Sequence, residues 1–304
     1  MNEVINTEGL TKTYKDVNAV SNLSLNVRKG EIYGFLGLNG AGKTTTIRMM
    51  LGMINPDRGT VFLNGIKVSS DKTELWREIG YLVEVPYAYP ELTVRENLEI
   101  IRRLRFLNDS KTVDYVIDKL KLNKYSHRKA KNLSLGNAQR LGLAKALIHN
   151  PKILILDEPA NGLDPAGIFE IRELLTDLAK NHGVTIFISS HILGEISKFS
   201  TRIGIIHDGI LIQEINTQEL EKLCEKRLII NTLDQKATKL LLQDKDIKAI
   251  DNENGKLLIT DKEFIEGPDK IANLLVGNNI ALTQLNVIEE DLESYFLRTI
   301  KLKD

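Results

Sequence analysis

The feature that most limits how this chain can fold is the glycine-rich segment at residues 37–44, Gly-Leu-Asn-Gly-Ala-Gly-Lys-Thr. It matches the phosphate-binding pattern G-x-x-x-x-G-K-[ST] and lies between a predicted strand at 32–37 and a predicted helix at 43–52. Glycines let backbone N–H groups surround phosphates, and the start of a helix adds a favourable dipole. We therefore expect Lys43 to reach the β- and γ-phosphates of a nucleotide and Thr44 to bind Mg²⁺.

Two adjacent carboxylates complete this expected site. Residues 153–156, Ile-Leu-Ile-Leu, predict a buried strand that ends in Asp157 and Glu158. A strand that ends beside a phosphate loop would bring Asp157 to Mg²⁺, usually through water. Glu158 would then accept a proton from the attacking water, and a positioned general base contributes about 10²–10⁴ in rate.

Apolar segments alternate with helical patterns through the first 216 residues, which predicts an α/β fold with a mostly parallel sheet covered on both faces. Thr93 and Glu96 form a capping box that predicts the start of a helix. Other predicted elements of this part are strands at 60–63, 79–84, 153–156, 184–189 and 202–207 and a helix at 166–179.

Glycine content marks a domain boundary near Asn216, because 18 of the 21 glycines lie before that residue. We expect a nucleotide-binding domain at 1–216 and a small α+β domain at 217–304. The second part predicts strands at 228–231 and 280–287, a hairpin around 252–255, and helices at 235–242, 269–275 and 291–300.

Composition excludes several classes of protein. The 41 basic and 41 acidic side chains balance, so a general polyanion-binding surface is not indicated and we expect no nucleic-acid partner. Cys224 is the single cysteine, which excludes an internal disulfide and a Cys-rich zinc site. No apolar run approaches the ~20 residues of a membrane helix, and the first residues do not resemble a signal peptide. We expect a cytoplasmic chain that reaches a membrane only through a partner.

Further motifs resemble those of ABC-type ATPases. Residues 133–140, Leu-Ser-Leu-Gly-Asn-Ala-Gln-Arg, are similar to the signature motif of the family. Residues 161–164, Asn-Gly-Leu-Asp, are similar to its Asp loop, and His191 follows the next predicted strand. The resemblance spans about residues 1–216. It implies a cassette with antiparallel N-terminal strands and a helical subdomain at about 85–150.

The resemblance also implies roles for residues within one chain. Tyr14 would stack on adenine, and His191 would contact the γ-phosphate and help to position Glu158. The residues of the phosphate loop that would bind ATP are Asn39, Gly40, Gly42, Lys43, Thr44 and Thr45.

Other roles depend on a head-to-tail dimer with two ATP molecules between the chains. Ser134 and the N–H of Gly136, at the start of a helix predicted at 137–149, would bind the γ-phosphate on the opposite subunit. Asp164 would lie across the interface, near the phosphate-loop lysine of that subunit.

Three positions depart from the family pattern. Leu135 and Asn137 stand where the signature motif has glycine and glutamine, which predicts a stiffer loop and slower turnover. Glu84 stands where the family has a glutamine that joins Mg²⁺ and the attacking water to the helical subdomain. The negative charge of Glu84 near Mg²⁺ would change the energy of the site, because two unit charges ~4 Å apart interact by about 1–4 kcal/mol at effective dielectric constants of 80–20. A glutamate here is typical of ATPases that resemble those of lantibiotic-immunity and bacitracin-resistance transporters.

The end of the chain supports the same class, since residues 287–297 are similar to the tail of antibiotic-exporting ABC ATPases. We therefore expect a subunit on the cytoplasmic face of the membrane that powers separately encoded permeases and expels an antimicrobial peptide. An exporter ATPase for another hydrophobic drug or a lipid is the alternative. A soluble ABC ATPase is disfavoured, because the chain has one cassette and Leu133 follows Lys43 by only 90 positions.

Replacing Leu135 with glycine tests the effect of the signature departure. We expect Leu135→Gly to raise the rate of ATP hydrolysis, because glycine restores the flexibility that the leucine removes. Steady-state phosphate release by the purified chain measures this, and an unchanged rate would contradict the prediction.

Overall fold

The computed structural model describes residues 3–69, 71–84, 87–251 and 255–301, and the chain divides into two compact units, Met1–Gln218 and Glu219–Asp304. The strands are β1 (Glu3–Tyr14), β2 (Val17–Arg28), β3 (Ile32–Leu36), β4 (Arg58–Leu63), β5 (Ile66–Lys67), β6 (Ile79–Leu82), β7 (Ile153–Leu156), β8 (Thr185–Ser190), β9 (Arg202–His207), β10 (Ile210–Asn216), β11 (Lys226–Thr232), β12 (Ile250–Asp251), β13 (Leu257–Ile259) and β14 (Leu282–Glu289). The helices are α1 (Lys43–Met50), α2 (Val94–Leu104), α3 (Lys111–Lys119), α4 (Leu135–Leu147), α5 (Pro165–His182), α6 (Leu193–Ile196), α7 (Thr217–Leu223), α8 (Gln235–Asp244), α9 (Lys262–Glu266), α10 (Pro268–Gly277) and α11 (Leu292–Lys301). Within the described residues, no helix is both long enough and apolar enough to cross a bilayer.

A six-stranded sheet in the order β10-β9-β3-β8-β7-β6 forms the centre of the first unit. Five neighbouring strands are parallel, and β10 pairs antiparallel with β9. Every residue of β3 and β7 is buried, which explains why both sequences are apolar without alternation. The predicted α/β fold with a mostly parallel sheet is confirmed. Because β3, β7 and β8 are parallel, the loops that follow them meet at one edge.

The N-terminal strands form a second sheet of four strands in the order β2-β1-β4-β5, and its pairs are antiparallel, as the family resemblance implied. Side chains of this sheet and of the central sheet share one core, which includes Ile5, Leu23, Phe35, Ile47 and Phe187.

Helices α2, α3 and α4 fill most of residues 94–147. Helix α2 begins with the predicted capping box, in which Thr93 and Glu96 exchange side-chain and backbone hydrogen bonds. The predicted start of the next helix at residue 137 was wrong. Helix α4 begins at Leu135, because the Ser134 hydroxyl accepts a hydrogen bond from the Asn137 N–H and caps the helix two residues earlier.

The second unit contains a four-stranded antiparallel sheet in the order β12-β13-β11-β14, together with short helices, which makes it a small α+β unit. Residues 252–254 of the predicted hairpin lie outside the described part of the chain, and the strands on either side of them pair antiparallel. The buried core of the second unit comprises Leu228, Ile230, Leu242, Leu257, Ile259, Ile271 and Leu275.

A largely buried histidine lies between the end of α4 and the central sheet. The Nε2 atom of His149 is 2.9 Å from the carbonyl oxygen of Ile79, to which the neutral ring donates. Arg105 donates to the carbonyl oxygen of Trp76 nearby. Burial, and then the charge of Arg105, lower the pKa of His149 from 6.5 to about 4. Between pH about 4 and 6.5, this ring is therefore neutral in the folded state and protonated in the unfolded chain.

This histidine makes stability depend on pH. Between its unfolded pKa of about 6.5 and its folded pKa of about 4, the unfolded state binds one more proton at this ring, so the contribution of His149 to stability falls by up to about 1.4 kcal/mol per pH unit as the pH is lowered. In His149→Gln, which keeps an amide donor for Ile79, we expect this contribution to vanish. Urea unfolding at pH 7.5 and 5.5, followed by the fluorescence of Trp76, measures it, with His127→Gln at an exposed histidine as the matched control. An equal pH dependence in wild type and His149→Gln would contradict the assignment.

Candidate functional site

The phosphate loop turns from β3 into α1 through two glycines with positive φ, Gly40 at 85° and Gly42 at 102°. A Cβ atom at Gly42 would overlap the carbonyl oxygen of Ala19, so both the backbone angle and the space require glycine there. The ammonium of Lys43 is buried and donates to the carbonyl oxygens of Gly37, at 2.7 Å, and Leu38, at 3.1 Å. The loop thus places a cation beneath its own backbone.

A chain of hydrogen bonds around Asp157 joins the ends of β7 and β8 to the start of α1. The Thr44 hydroxyl donates to Oδ2 of Asp157 at 2.7 Å, and the Ser189 hydroxyl donates to Oδ1 at 2.6 Å. The same Ser189 oxygen accepts a hydrogen bond from the N–H of Glu158 at 2.9 Å. Asp157 is only 2% exposed, so both of its carboxylate oxygens need these donors.

Glu158 is held by two basic side chains. Its Oε1 atom lies 3.2 Å from Nζ of Lys43, and its Oε2 atom accepts a hydrogen bond from Nδ1 of His191 at 2.7 Å. Its backbone has a φ of 49°, in the left-handed region that non-glycine residues adopt rarely. Such strain commonly occurs at functional sites, where the surrounding structure over-determines the conformation. Here the turn at the end of β7 points the carboxylate at the phosphate loop.

A groove of about 420 Å³ opens beside these groups. Seven residues predicted from the sequence contribute to its lining, namely Asn39, Gly40, Gly42, Lys43, Thr44, Thr45 and Glu158. The first residues of β2, including Asn18 and Ala19, form another part of the lining. Backbone donors, the Lys43 side chain and the Glu158 side chain therefore line a single concave surface, to which Asp208 also contributes.

Tyr14 and Glu84, which were predicted to contact the adenine and Mg²⁺, are not among the described residues that line this groove. Tyr14, at the end of β1, is 44% exposed, and the ammonium of Lys12 is 5.7 Å from the centre of its ring. Glu84 has a φ of 55°, and its Oε1 atom is 2.6 Å from Nη2 of Arg48 on α1. Among the described residues, the groove lining includes neither of them.

The residues that resemble the signature motif and the Asp loop meet each other within the chain. A Cβ atom at Gly136 would lie 3.2 Å from Cδ2 of Leu163 and 3.4 Å from the carbonyl oxygen of Gly162. Ser134 caps α4, and Asp164 caps α5 by accepting a hydrogen bond from the N–H of Gly167 at 2.8 Å. In the part of the chain that the structure describes, Ser134, Gly136 and Asp164 do not line the groove.

Sequence reasoning missed Ser189 and Arg48, which make the closest contacts to two of the predicted acids. Ser189 belongs to a strand that was predicted correctly, but a single serine in a buried strand is not part of any recognisable sequence motif. Arg48 follows Thr44 by one helical turn, and that i+4 spacing was a usable signal once α1 was predicted. Gln139 was also missed, and its Nε2 atom lies 3.4 Å from the backbone oxygen of Glu158.

Comparison with known proteins agrees with this geometry. The family model described as ABC transporter matches residues 20–161. The bacitracin transport ATP-binding protein BcrA of Bacillus licheniformis is 43% identical over 301 residues, which cover 99% of this chain and 98% of that protein. The lantibiotic transport ATP-binding protein SrtF of Streptococcus pyogenes is 36% identical over 225 residues, which cover 73% of this chain and 96% of that protein.

A solved structure shows the same fold. The dimeric ATP-binding cassette MJ0796, in a post-hydrolysis state bound to ADP and Pi, superposes with a TM-score of 0.66 at 28% sequence identity. The match covers 70% of this chain and 98% of that one. The cassette fold predicted for the first part of the chain is confirmed.

The central position of Ser189 can be tested by removing its hydroxyl. We expect Ser189→Ala to lower the free energy of unfolding by about 2 kcal/mol or more, because each buried polar group left without a partner costs about 1–3 kcal/mol. Urea unfolding measures the change. Ser190→Ala, which removes the neighbouring hydroxyl that bonds to Ile192, is the matched control. Equal losses in the two variants would contradict the role given to Ser189.

Proposed function

Because this chain belongs to the ATP-binding proteins of ABC transporters, we propose that it powers the expulsion of a bacitracin-like or lantibiotic peptide through permease subunits encoded separately. It is an ATPase that couples hydrolysis of ATP to transport. The observation that carries the peptide assignment is the 43% identity to BcrA over 99% of the chain, which includes the second unit. The family and the fold account for the ATPase activity alone.

In the proposed mechanism, the phosphate loop binds the triphosphate of ATP. The N–H groups at the start of α1 and the ammonium of Lys43 surround the phosphates, because backbone donors at a helix N-terminus and a buried cation both favour anions. Tyr14 stacks on the adenine, for which its ring is half-exposed. Asn39, Gly40, Gly42 and Thr45 supply backbone or side-chain contacts along the groove.

Thr44 and Asp157 are the proposed holders of Mg²⁺. Their side chains already share a hydrogen bond, and both offer the oxygen ligands that Mg²⁺ prefers. Within the described residues, no group of three or more His, Cys, Asp and Glu could hold a metal ion unaided. That fits Mg²⁺, which usually binds through one or two protein oxygens together with substrate phosphates and neutralises their charge.

Glu158 is the proposed acceptor of the proton from the attacking water. Its Oε1 atom is within reach of Lys43 and therefore of the phosphates that Lys43 would bind. His191 holds the other carboxylate oxygen and positions the group. Glu84 remains a proposed residue of the metal site, and its carboxylate pairs with Arg48, which lies on α1 one turn from Thr44.

Each catalytic site would be completed by a second copy of the chain. Ser134, Gly136 and Asp164 lie together but away from the groove of their own chain, so a head-to-tail dimer is the arrangement in which they reach the γ-phosphate of the partner's ATP. The chain would act on the cytoplasmic face of the membrane, where the permeases hold it.

Disruption and complementation of the gene in its own host test the proposal. We expect loss of the chain to sensitise cells to bacitracin or a lantibiotic, wild type to restore resistance, and Glu158→Gln to fail. The purified variant should bind ATP but hydrolyse it about 10²–10⁴-fold more slowly, because it lacks the general base.

The matched control is Glu173→Gln, the same change at an exposed glutamate of α5. It should protect cells as wild type does. Full resistance with Glu158→Gln would overturn the proposed role of Glu158. Sensitivity only to an unrelated hydrophobic drug would replace the peptide with that class of substrate.

A further inference from the structure

Leu135 stands where the family has a glycine, and its side chain lies directly over Gly162 of the segment 161–164. A Cβ atom at Gly162 would overlap Cδ2 of Leu135 and would lie 2.5 Å from its Cγ. Gly162 has a φ of 77°, so the position requires glycine for its backbone as well as for the space that Leu135 fills. Leu135 is nevertheless 57% exposed, so this contact is not part of the buried core.

We infer that Leu135 is a positioning residue that fastens the signature segment 134–136 to the segment 161–164 of its own chain and thereby slows turnover. On the basis of the proposed function, Leu135 slows turnover through its contact with Gly162 rather than through stiffness of the loop alone. With glycine at position 135, no side chain would cover Gly162, and the two segments could shift independently.

Neighbouring contacts connect this part of α4 to the loop that carries Glu158 and Asp164. Gly136 packs against Leu163, and Gln139 of the same helix is 3.4 Å from the backbone oxygen of Glu158. One side of α4 therefore faces a loop that begins with the proposed catalytic carboxylate and ends with Asp164. In the proposed dimer, Ser134 and Asp164 serve the partner's nucleotide while Glu158 serves its own. Leu135 thus links the two nucleotide sites.

The inference predicts a rescue between two substitutions. Gly162→Ala should lower kcat by about 10–100-fold, because the new methyl group collides with Leu135, and misplacing a positioned group by about 1 Å can cost 10²-fold. In the double variant with Leu135→Gly, the collision is gone. We expect kcat there to return to within a few-fold of Leu135→Gly alone, leaving the cost of the strained backbone.

Gly183→Ala is the matched control, because it measures the effect on kcat of placing alanine at a backbone angle that favours glycine. Gly183 ends α5 with a φ of 66°, and nothing lies within 4 Å of a Cβ atom built there. Its effect should be the same with leucine or glycine at position 135. If Gly162→Ala also had the same effect in both backgrounds, the inferred contact would be wrong.

Leu135→Ala separates contact from flexibility and does not depend on the folding of Gly162→Ala. It removes Cγ and Cδ2 but does not restore glycine's freedom, so we expect its kcat to rise nearly as much as in Leu135→Gly. A wild-type rate for Leu135→Ala, with a faster Leu135→Gly, would overturn the inference in favour of loop stiffness. An absence of ATPase activity in the wild-type chain would refute the proposed function instead.

Discussion

The carboxylate of Asp157 is the group around which the site is organised. It is buried at the edge of the central sheet, and a buried charge is tolerated only where its oxygens have donors. Those donors are the hydroxyls of Thr44 and Ser189, which come from the helix after β3 and from β8. One carboxylate thereby connects the ends of β7 and β8 to the helix that follows β3. The parallel order places these ends at one edge, and the hydrogen bonds then set the distances.

The adjacent Glu158 depends on that arrangement. Its N–H is fixed by the same Ser189 oxygen, and its left-handed backbone turns the side chain away from Asp157 towards Lys43 and His191. The two neighbouring acids therefore have different partners: Asp157 accepts from two hydroxyls, and Glu158 contacts two basic side chains. This separation allows one acid to hold a cation and the other to accept a proton, as the proposed mechanism requires.

Two of the three departures from the family pattern, Glu84 and Leu135, are accommodated by contacts with other parts of the chain. Glu84 would place a negative charge near a polyanion, but Arg48 lies 2.6 Å from it and offsets that charge. Leu135 would crowd a flexible loop, but it covers Gly162, which has no side chain. In both places a residue in another element provides the complement. The substitutions are thus matched to their surroundings, and they change how the cassette is restrained without changing its phosphate loop.

The sequence by itself determined the phosphate loop, the apolar strands, the paired acids and the capping box at Thr93, because each depends on local spacing or periodicity. It also identified the family, since several such motifs occur in a fixed order. Only the tertiary structure decided that Ser189 bonds to Asp157, 32 residues away, and that Arg48 meets Glu84, 36 residues away. The same holds for Leu135 over Gly162. These contacts join residues from different elements, and their geometry follows from strand order and backbone angles that no local pattern encodes.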